Sequence, residues 1–179
     1  MKNKYEGTQT EVNLRNAFAL ESQARNKYTY FASAAKKEGY EQISAIFLAT
    51  AENEKEHAKL WFKELNGIGN TLTNLQTAAD GEHHEWSQMY TSMAETAKME
   101  GFIDLAETMY LVAEIERTHE ERYLQLLSNL KTGTVFCKDG ITIWICRNCG
   151  HLHYGQEAPL ECPTCKHPRG FFEMHVVNY

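Results

Sequence analysis

Two tetrapeptides carry the first chemical signal in this chain, Glu54-Lys55-Glu56-His57 and Glu116-Arg117-Thr118-His119, each of the form E-x-x-H. On a helix, residues three apart share a face, so the carboxylate and imidazole of each pair point the same way. That face is the apolar one. Thr50, Glu54, His57 and Trp61 continue the stripe of Ile43 and Phe47, and Val112, Glu116, His119 and Tyr123 continue that of Leu105 and Met109. A carboxylate carried into a core is costly and stays ionised only beside a cation. One E-x-x-H alone is ordinary surface decoration, because exposed Glu favours helix. Two copies at matching positions, both on apolar stripes, point to bound metal.

Further carboxylates follow the same logic. Glu21 shares a stripe with Phe18, Ala24 and Tyr28, while Glu82 and Glu85, three apart in Gly81-Glu82-His83-His84-Glu85-Trp86, are in register with Met89. One Glu from each of two helices plus E-x-x-H from each of two others is the ligand set of ferritin-like di-metal bundles. Glu85 is one carboxylate beyond that minimum, and His83 and His84 are alternative ligands. Tyr28, Tyr90 and Trp86 can serve as packing, or as hydrogen-bond partners of metal-bound oxygens. Hard carboxylates with two imidazoles suit iron or manganese better than copper(I) or a structural zinc. Two adjacent redox metals can deliver two electrons together, which matches cleavage of an O–O bond.

A second chemistry lies near the C-terminus. Cys146-Arg-Asn-Cys149 and Cys162-Pro-Thr-Cys165 are two C-x-x-C knuckles of the kind that close a tetrahedral thiolate cage. Zinc and a single iron both fit this spacing. Trp144, Tyr154, Phe171 and Phe172 can shield a redox iron or simply form the module's core. Cys137 is left over as a small hydrophobe, and His151, His153 and His167 read as surface residues.

The elements that must position these groups are legible from periodicity. Apolar residues recur at helical spacing from Val12 to about Lys131, with breaks at Gly39, at Asn66 to Asn70 and at Gly101. The spacing predicts helices over 11–37, 41–65, 72–99 and 103–130. The two hairpins repeat at an offset of 62, which brings Ala35, Lys36, Glu38, Gly39, Ala51, Glu52, Glu54 and His57 onto Ala97, Lys98, Glu100, Gly101, Ala113, Glu114, Glu116 and His119. Two copies of one hairpin imply a bundle with an approximate two-fold axis. The same offset sets Glu21 opposite His83 and not Glu82, so one residue must be absorbed before Gly101 by a π-type bulge. After Lys131 the pattern changes. Val135-Phe136, Lys138-Asp139-Gly140 and Ile141 to Ile145 read as a short hairpin turning at Asp-Gly. The expected division is a helical domain over 1–132 and a metal-stapled module over 133–179, too small to hold a core unaided.

Bulk composition narrows the class. The chain has 179 residues, a net charge of -6 and 42% apolar residues, so its partners are not polyanions such as nucleic acid. It shows no apolar run of membrane-spanning length and no apolar segment of signal-peptide type at its start, which points to the cytoplasm and to no membrane partner. Paired cysteines in a reducing compartment favour metal thiolates over disulfides.

At these residues the sequence resembles the rubrerythrins. The likeness runs through Ala17-Phe-Ala-Leu-Glu-Ser-Gln-Ala-Arg-Asn-Lys-Tyr28, Glu54-Lys-Glu-His-Ala-Lys59, Gly81 to Trp86, the E-x-x-H at Glu116, Trp144-Ile-Cys-Arg-Asn-Cys-Gly150 and Glu161-Cys-Pro-Thr-Cys165. The resemblance implies a mainly α, ferritin-like four-helix bundle followed by a small β/loop-rich rubredoxin-like metal domain. It implies that Glu21, Glu54, Glu82, Glu85, Glu116 and His119 bind two iron ions, with His57 exchanging with Glu85 between redox states. It implies a third iron on Cys146, Cys149, Cys162 and Cys165, a site zinc can also take. The implied activity is reduction of hydrogen peroxide to water in oxidative-stress protection, with electrons from a pyridine-nucleotide-dependent reductase or rubredoxin entering through the cysteine centre. A homodimer is implied as well. Iron oxidation and storage is the competing reading, and Glu85 favours the peroxidase relatives over it.

Overall fold

The structure, a computed structural model, describes residues 3–178. Its helical part has four rods among the described residues: α1 (Gln9–Lys37), α2 (Glu41–Glu64), a third rod running α3 (Thr71–His84), a π segment (Glu85–Met89) and α4 (Tyr90–Met99), and α5 (Ile103–Lys131). These bounds lie within one or two residues of the expected ones. The π segment falls where the repeat demanded an extra residue.

Local chemistry explains the ends. Thr8 caps α1 by accepting the Glu11 N–H, and Asn70 caps α3 by accepting that of Thr73. The two hairpin loops are built alike. Gly39 (φ 87°) and Gly101 (φ 89°) take the left-handed conformation, which lets Tyr40 N–H reach the Ala35 carbonyl and Phe102 N–H that of Ala97, both at 2.8 Å. This is the Schellman closure, and glycine adopts it without a Cβ penalty. The repeat seen in the sequence is thus a repeat of cap geometry.

The chain divides into two compact units, one ending at Gly69 and the other beginning at Asn70. In the first, α1 and α2 meet along small residues, with Ala32, Ala35, Ser44, Ala51 and Ala58 buried and Ser44 Oγ donating to the Ala32 carbonyl at 2.9 Å. Small side chains let the two backbones approach, while Tyr28, Phe31 and Phe47 form an aromatic cluster with centroids 5.7 to 6.3 Å apart. In the second unit, α3 to α5 pack in the same way around Ala79, Ala94, Ala97, Ala106 and Ala113.

The same unit carries an antiparallel three-stranded sheet of order β2-β1-β3, with β1 Cys137–Cys146, β2 Leu152–Glu157 and β3 Phe172–Met174. The expected hairpin at Asp139-Gly140 does not form. Both residues lie inside β1 beside a register shift between Cys137 and Thr142, and the antiparallel turn is made instead by the first cysteine knuckle, residues 147–151. A turn signal in Asp-Gly is a local preference of order 1 kcal/mol, whereas the knuckle is fixed by two backbone hydrogen bonds that are repeated in both C-x-x-C loops. Cys146 N–H donates to His151 O (2.9 Å) and Gly150 N–H to Cys146 O (2.8 Å), just as Cys162 N–H donates to His167 O (2.8 Å) and Lys166 N–H to Cys162 O (2.9 Å). The residue after each knuckle is left-handed, Gly150 in one and Lys166 (φ 61°) in the other.

The core of this module is Trp144, Cys146, Ala158, Cys162 and Phe172, with Phe136 and Cys165 against it. Trp144 is fully buried, and its indole N–H donates to Gly155 O at 3.0 Å. Of the module's aromatic residues, Trp144 and Phe172 are core, whereas Tyr154 is exposed and Phe171 stacks edge-on to His167. His151, His153 and His167 are half-buried and not simple surface residues. His167 Nδ1 lies 3.2 Å from Cys165 O. Cys137 is half-buried in β1 with its thiol free. No described helix is long and apolar enough to cross a membrane.

Candidate metal centres

Three clusters of metal-ligating atoms stand out among the described residues, each with its atoms within 4.8 Å of one another: Glu21, Glu54 and His57; Glu82, Glu116 and His119; and Cys146, Cys149, Cys162 and Cys165. The first belongs wholly to the α1–α2 unit and the second wholly to the unit that follows.

In the first, His57 Nδ1 lies 2.8 Å from Glu54 Oε2. Glu21 faces them from α1 and is held above the usual carboxylate range by burial, then by the hydrogen bond and charge of Glu54. The second repeats the arrangement. His119 Nδ1 lies 2.7 Å from Glu116 Oε2 and 3.7 Å from Glu82 Oε2, and Glu82 is raised by burial and by the Glu116 carboxylate. In each cluster two carboxylates crowd together and only protonation or a cation can relieve them. Two hard oxygen donors with one imidazole suit iron or manganese.

The raised carboxyl of Glu82 gives a signed expectation. A carboxyl whose folded pKa exceeds its unfolded value favours the folded state at low pH, and this benefit disappears as pH rises through the folded pKa. Metal-stripped Glu82→Gln protein, which mimics the protonated form, should therefore melt above metal-stripped wild type at pH 7, and the difference should shrink to nothing in acid. Melting curves across pH check this; a difference that grew on acidification would contradict it.

Glu85 lies outside the second cluster yet near enough for its charge to act on Glu82. It starts the π segment, a widened turn of a kind frequent at functional sites. Tyr28 packs on Phe31 and Phe47, and Tyr90 opens α4 with its N–H on the Glu85 carbonyl. His83 and His84, the alternative ligands, fall outside the clusters. His83 instead meets Glu120, Nδ1 to Oε1 3.1 Å, and the indole of Trp86 donates to Glu120 Oε2 at 2.6 Å. Trp86 therefore tethers the π segment to α5 rather than reaching toward a metal-bound oxygen.

Glu120 went unnoticed in the sequence. Its signal was present, since it lies four residues after Glu116 and so shares that face. Partners that orient ligands typically alter metal affinity by 10–100-fold when removed. Trp86→Phe, which keeps the ring and deletes the donor, removes the tie between α5 and the π segment that follows Glu82, and is expected to weaken metal binding at the second carboxylate cluster by up to about 10-fold and to leave the cysteine site untouched. Competitive metal titration of the two site types checks the contrast.

The sulfur cluster fits a tetrahedral cation. Metal–sulfur bonds near 2.3 Å require sulfurs about 3.8 Å apart, and Cys146 Sγ to Cys165 Sγ is 3.7 Å, Cys149 Sγ to Cys162 Sγ 3.6 Å. Hydrogen bonding from the His167 backbone, the largest influence, holds the Cys165 thiol down to about 5. Cys149 also receives a backbone hydrogen bond at His151 that lowers it, but burial and the three neighbouring sulfurs push it up to about 12. Four sulfurs this close cannot all ionise without positive charge among them.

Helical rods carrying paired carboxylates and imidazoles, followed by a sheet closed by two cysteine knuckles, define a non-haem metalloprotein of ferritin-like class with a rubredoxin-like module. The Rubrerythrin family profile matches residues 12–127, and that of the rubrerythrin rubredoxin-like domain matches residues 144–173. The chain belongs to the rubrerythrin family. It is 46% identical to the rubrerythrin of Porphyromonas gingivalis, over 100% of this chain and 96% of that one. It is 47% identical to that of Clostridium perfringens and 45% to that of Nitratidesulfovibrio vulgaris, each over 97% of both chains. Among solved structures, a mixed-valence nigerythrin is 31% identical, covering 97% of this chain and 90% of that one, with a TM-score of 0.35.

Proposed function

We propose that this protein reduces hydrogen peroxide to water at a di-iron site built from both carboxylate clusters, with electrons delivered through an iron held by the four cysteines. The overall change is H2O2 plus two electrons and two protons giving two waters. The observation that carries this reading is the duplicated Glu, Glu, His cluster in a chain of this family that also carries the four-cysteine module. Held by these residues, a pair of ferrous ions would supply two electrons together, and an iron on the four cysteines would supply single electrons to restore them.

The chain's own residues set the conditions. Glu21, Glu54 and His57 would hold one side of the pair, and Glu82, Glu116 and His119 the other. Glu21 and Glu82 bind protons more readily than free carboxyls, which suits them to carry protons to departing oxygens. His57 is about half exposed and Glu85 sits in the π segment, so these two ligands have the most freedom to trade places between redox states. The electron donor is a reductase or a rubredoxin, the assembly is a homodimer, and the compartment is the cytoplasm. Stopped-flow mixing of the fully reduced protein tests the claim. Peroxide should oxidise it rapidly and dioxygen much more slowly; the reverse ranking would favour iron oxidation and storage.

A further inference from the structure

We propose that the groove between α1 and α2 binds a small carboxylic acid with an apolar body, its carboxylate held by Arg25 and its body lying among Phe18, Phe62 and Ile68. None of the clustered carboxylates and imidazoles lines this groove, so the site is separate from the peroxide chemistry proposed above.

The internal repeat gives this groove a twin. Helix α2 matches α5 at an offset of 62, which sets Glu54 on Glu116 and His57 on His119, and ahead of the π segment α1 matches α3 at an offset of 61, which sets Glu21 on Glu82. On the same counts Ala58 falls on Glu120, Ser22 on His83, and Arg25 on Trp86 where the π segment opens. In the second hairpin these three side chains bond to one another: Glu120 accepts the Trp86 indole N–H at 2.6 Å and meets His83 Nδ1 at 3.1 Å. In the first hairpin all three differ together. Alanine stands in place of the carboxylate and serine in place of the imidazole, and Ser22, Arg25 and Ala58 line a groove of about 410 Å³. That volume is within the usual range of small-molecule sites.

The groove keeps a donor without an acceptor. Arg25 stands where Trp86 donates, and its Nε is buried with no hydrogen-bond partner among the described residues. Buried N–H groups are nearly always paired, and an unpaired one on a charged group is the costliest kind. Buried Ala58 offers no side-chain oxygen, and Glu52, the carboxylate whose charge reaches Arg25, is taken by Lys55 at 2.6 Å. Lys59 is taken by Glu56 at 3.0 Å in the same way. Those pairs cancel, which leaves the guanidinium as the surplus charge. The group it calls for is the one that Glu120 supplies in the twin, a carboxylate, and a guanidinium can receive that group through two parallel N–H bonds. The rest of the wall is apolar, with Phe18 and Phe62 stacked at a centroid distance of 4.7 Å and Ile68 beside them. Burial against that wall favours an acid carrying a ring or a short hydrocarbon chain over a bare inorganic anion.

Equilibrium dialysis of the full-length, metal-loaded protein against radiolabelled benzoate tests the site. Wild type should take up one benzoate per chain, saturably, and acetate and inorganic phosphate should compete far less well because neither has an apolar body. Arg25→Gln should weaken binding by at least about 10-fold, as expected for loss of a charged hydrogen bond. Ala58→Glu, which installs the carboxylate of the twin, should abolish binding with metal content and helical circular dichroism unchanged; if that variant does not fold, Arg25→Gln still decides. No saturable uptake by wild type, or undiminished uptake by Arg25→Gln, overturns the proposal. Phosphate competing as well as benzoate overturns it too, since that marks a plain anion site. Sedimentation velocity with and without benzoate separates the two sources of a carboxylate. A free acid leaves the assembly as it was, whereas an assembly that benzoate splits has its groove filled by a side chain of a second copy, and that result also overturns the proposal.

Discussion

Cys162→Ser is expected to unfold the C-terminal module and to uncouple the protein from its electron donor. Cys162 is buried at the centre of the module's core, where Cys146 and Cys165 also lie. Three of the few core residues are thus proposed metal ligands, and on that reading metal binding and folding are one event. Structural four-ligand sites in small domains contribute roughly 10–16 kcal/mol of apparent binding free energy, far more than a core this size supplies by burial. Serine forms no thiolate and cannot restore the cage. The visible thiolate-to-iron absorption and the near-ultraviolet signal of buried Trp144 should disappear. Limited proteolysis should then remove the segment after about residue 133 and spare the helices. Turnover driven by reduced pyridine nucleotide should be lost, yet protein reduced chemically beforehand should still be oxidised by peroxide in one turnover. Retention of the absorption band would contradict the four-sulfur assignment, and loss of the single turnover would contradict the separation of electron entry from peroxide chemistry.

Glu116→Ala acts on the other centre. Glu116 contacts both His119 and Glu82 in its cluster, so its removal takes away a proposed ligand and the charge that raises the Glu82 carboxyl. Loss of a group that merely orients a ligand costs 10–100-fold, and deletion of a direct ligand should exceed that, lowering peroxide reduction by at least about 100-fold. The cysteine absorption should be unchanged. Since Glu116 packs no core of its own and is only half-buried, the helical circular dichroism should persist. A variant with near-normal turnover would exclude Glu116 as a ligand.

How much of this was legible beforehand depends on the range of the interaction. Helix bounds came out within a residue or two because caps and glycine closures are decided within five residues, as at Gly39 and Gly101. The π segment was legible for a related reason: a repeat offset that sets Glu21 against His83 leaves one residue to absorb, and the helix widens by one at Glu85–Met89. The clustered carboxylates and imidazoles were legible because a charged group on an apolar stripe is anomalous within its own helix. The Asp139-Gly140 hairpin was misread because its local turn preference was real but weaker than the knuckle geometry that the cysteines impose. His83 read as a possible ligand, and Glu120 was missed, because their contact spans 37 residues of sequence.

The amino-acid order alone determined where helices start and stop and that two sorts of metal chemistry share one chain, since each of these follows from spacing along a strand or helix of known pitch. Tertiary structure decided which inward groups meet. It sorted the carboxylates and imidazoles into two three-ligand clusters, gave Trp86 and His83 to Glu120, and made the first cysteine loop the turn of the sheet. Such choices depend on distances between segments far apart in the chain, and these are set by packing and chain reach, which no local pattern encodes.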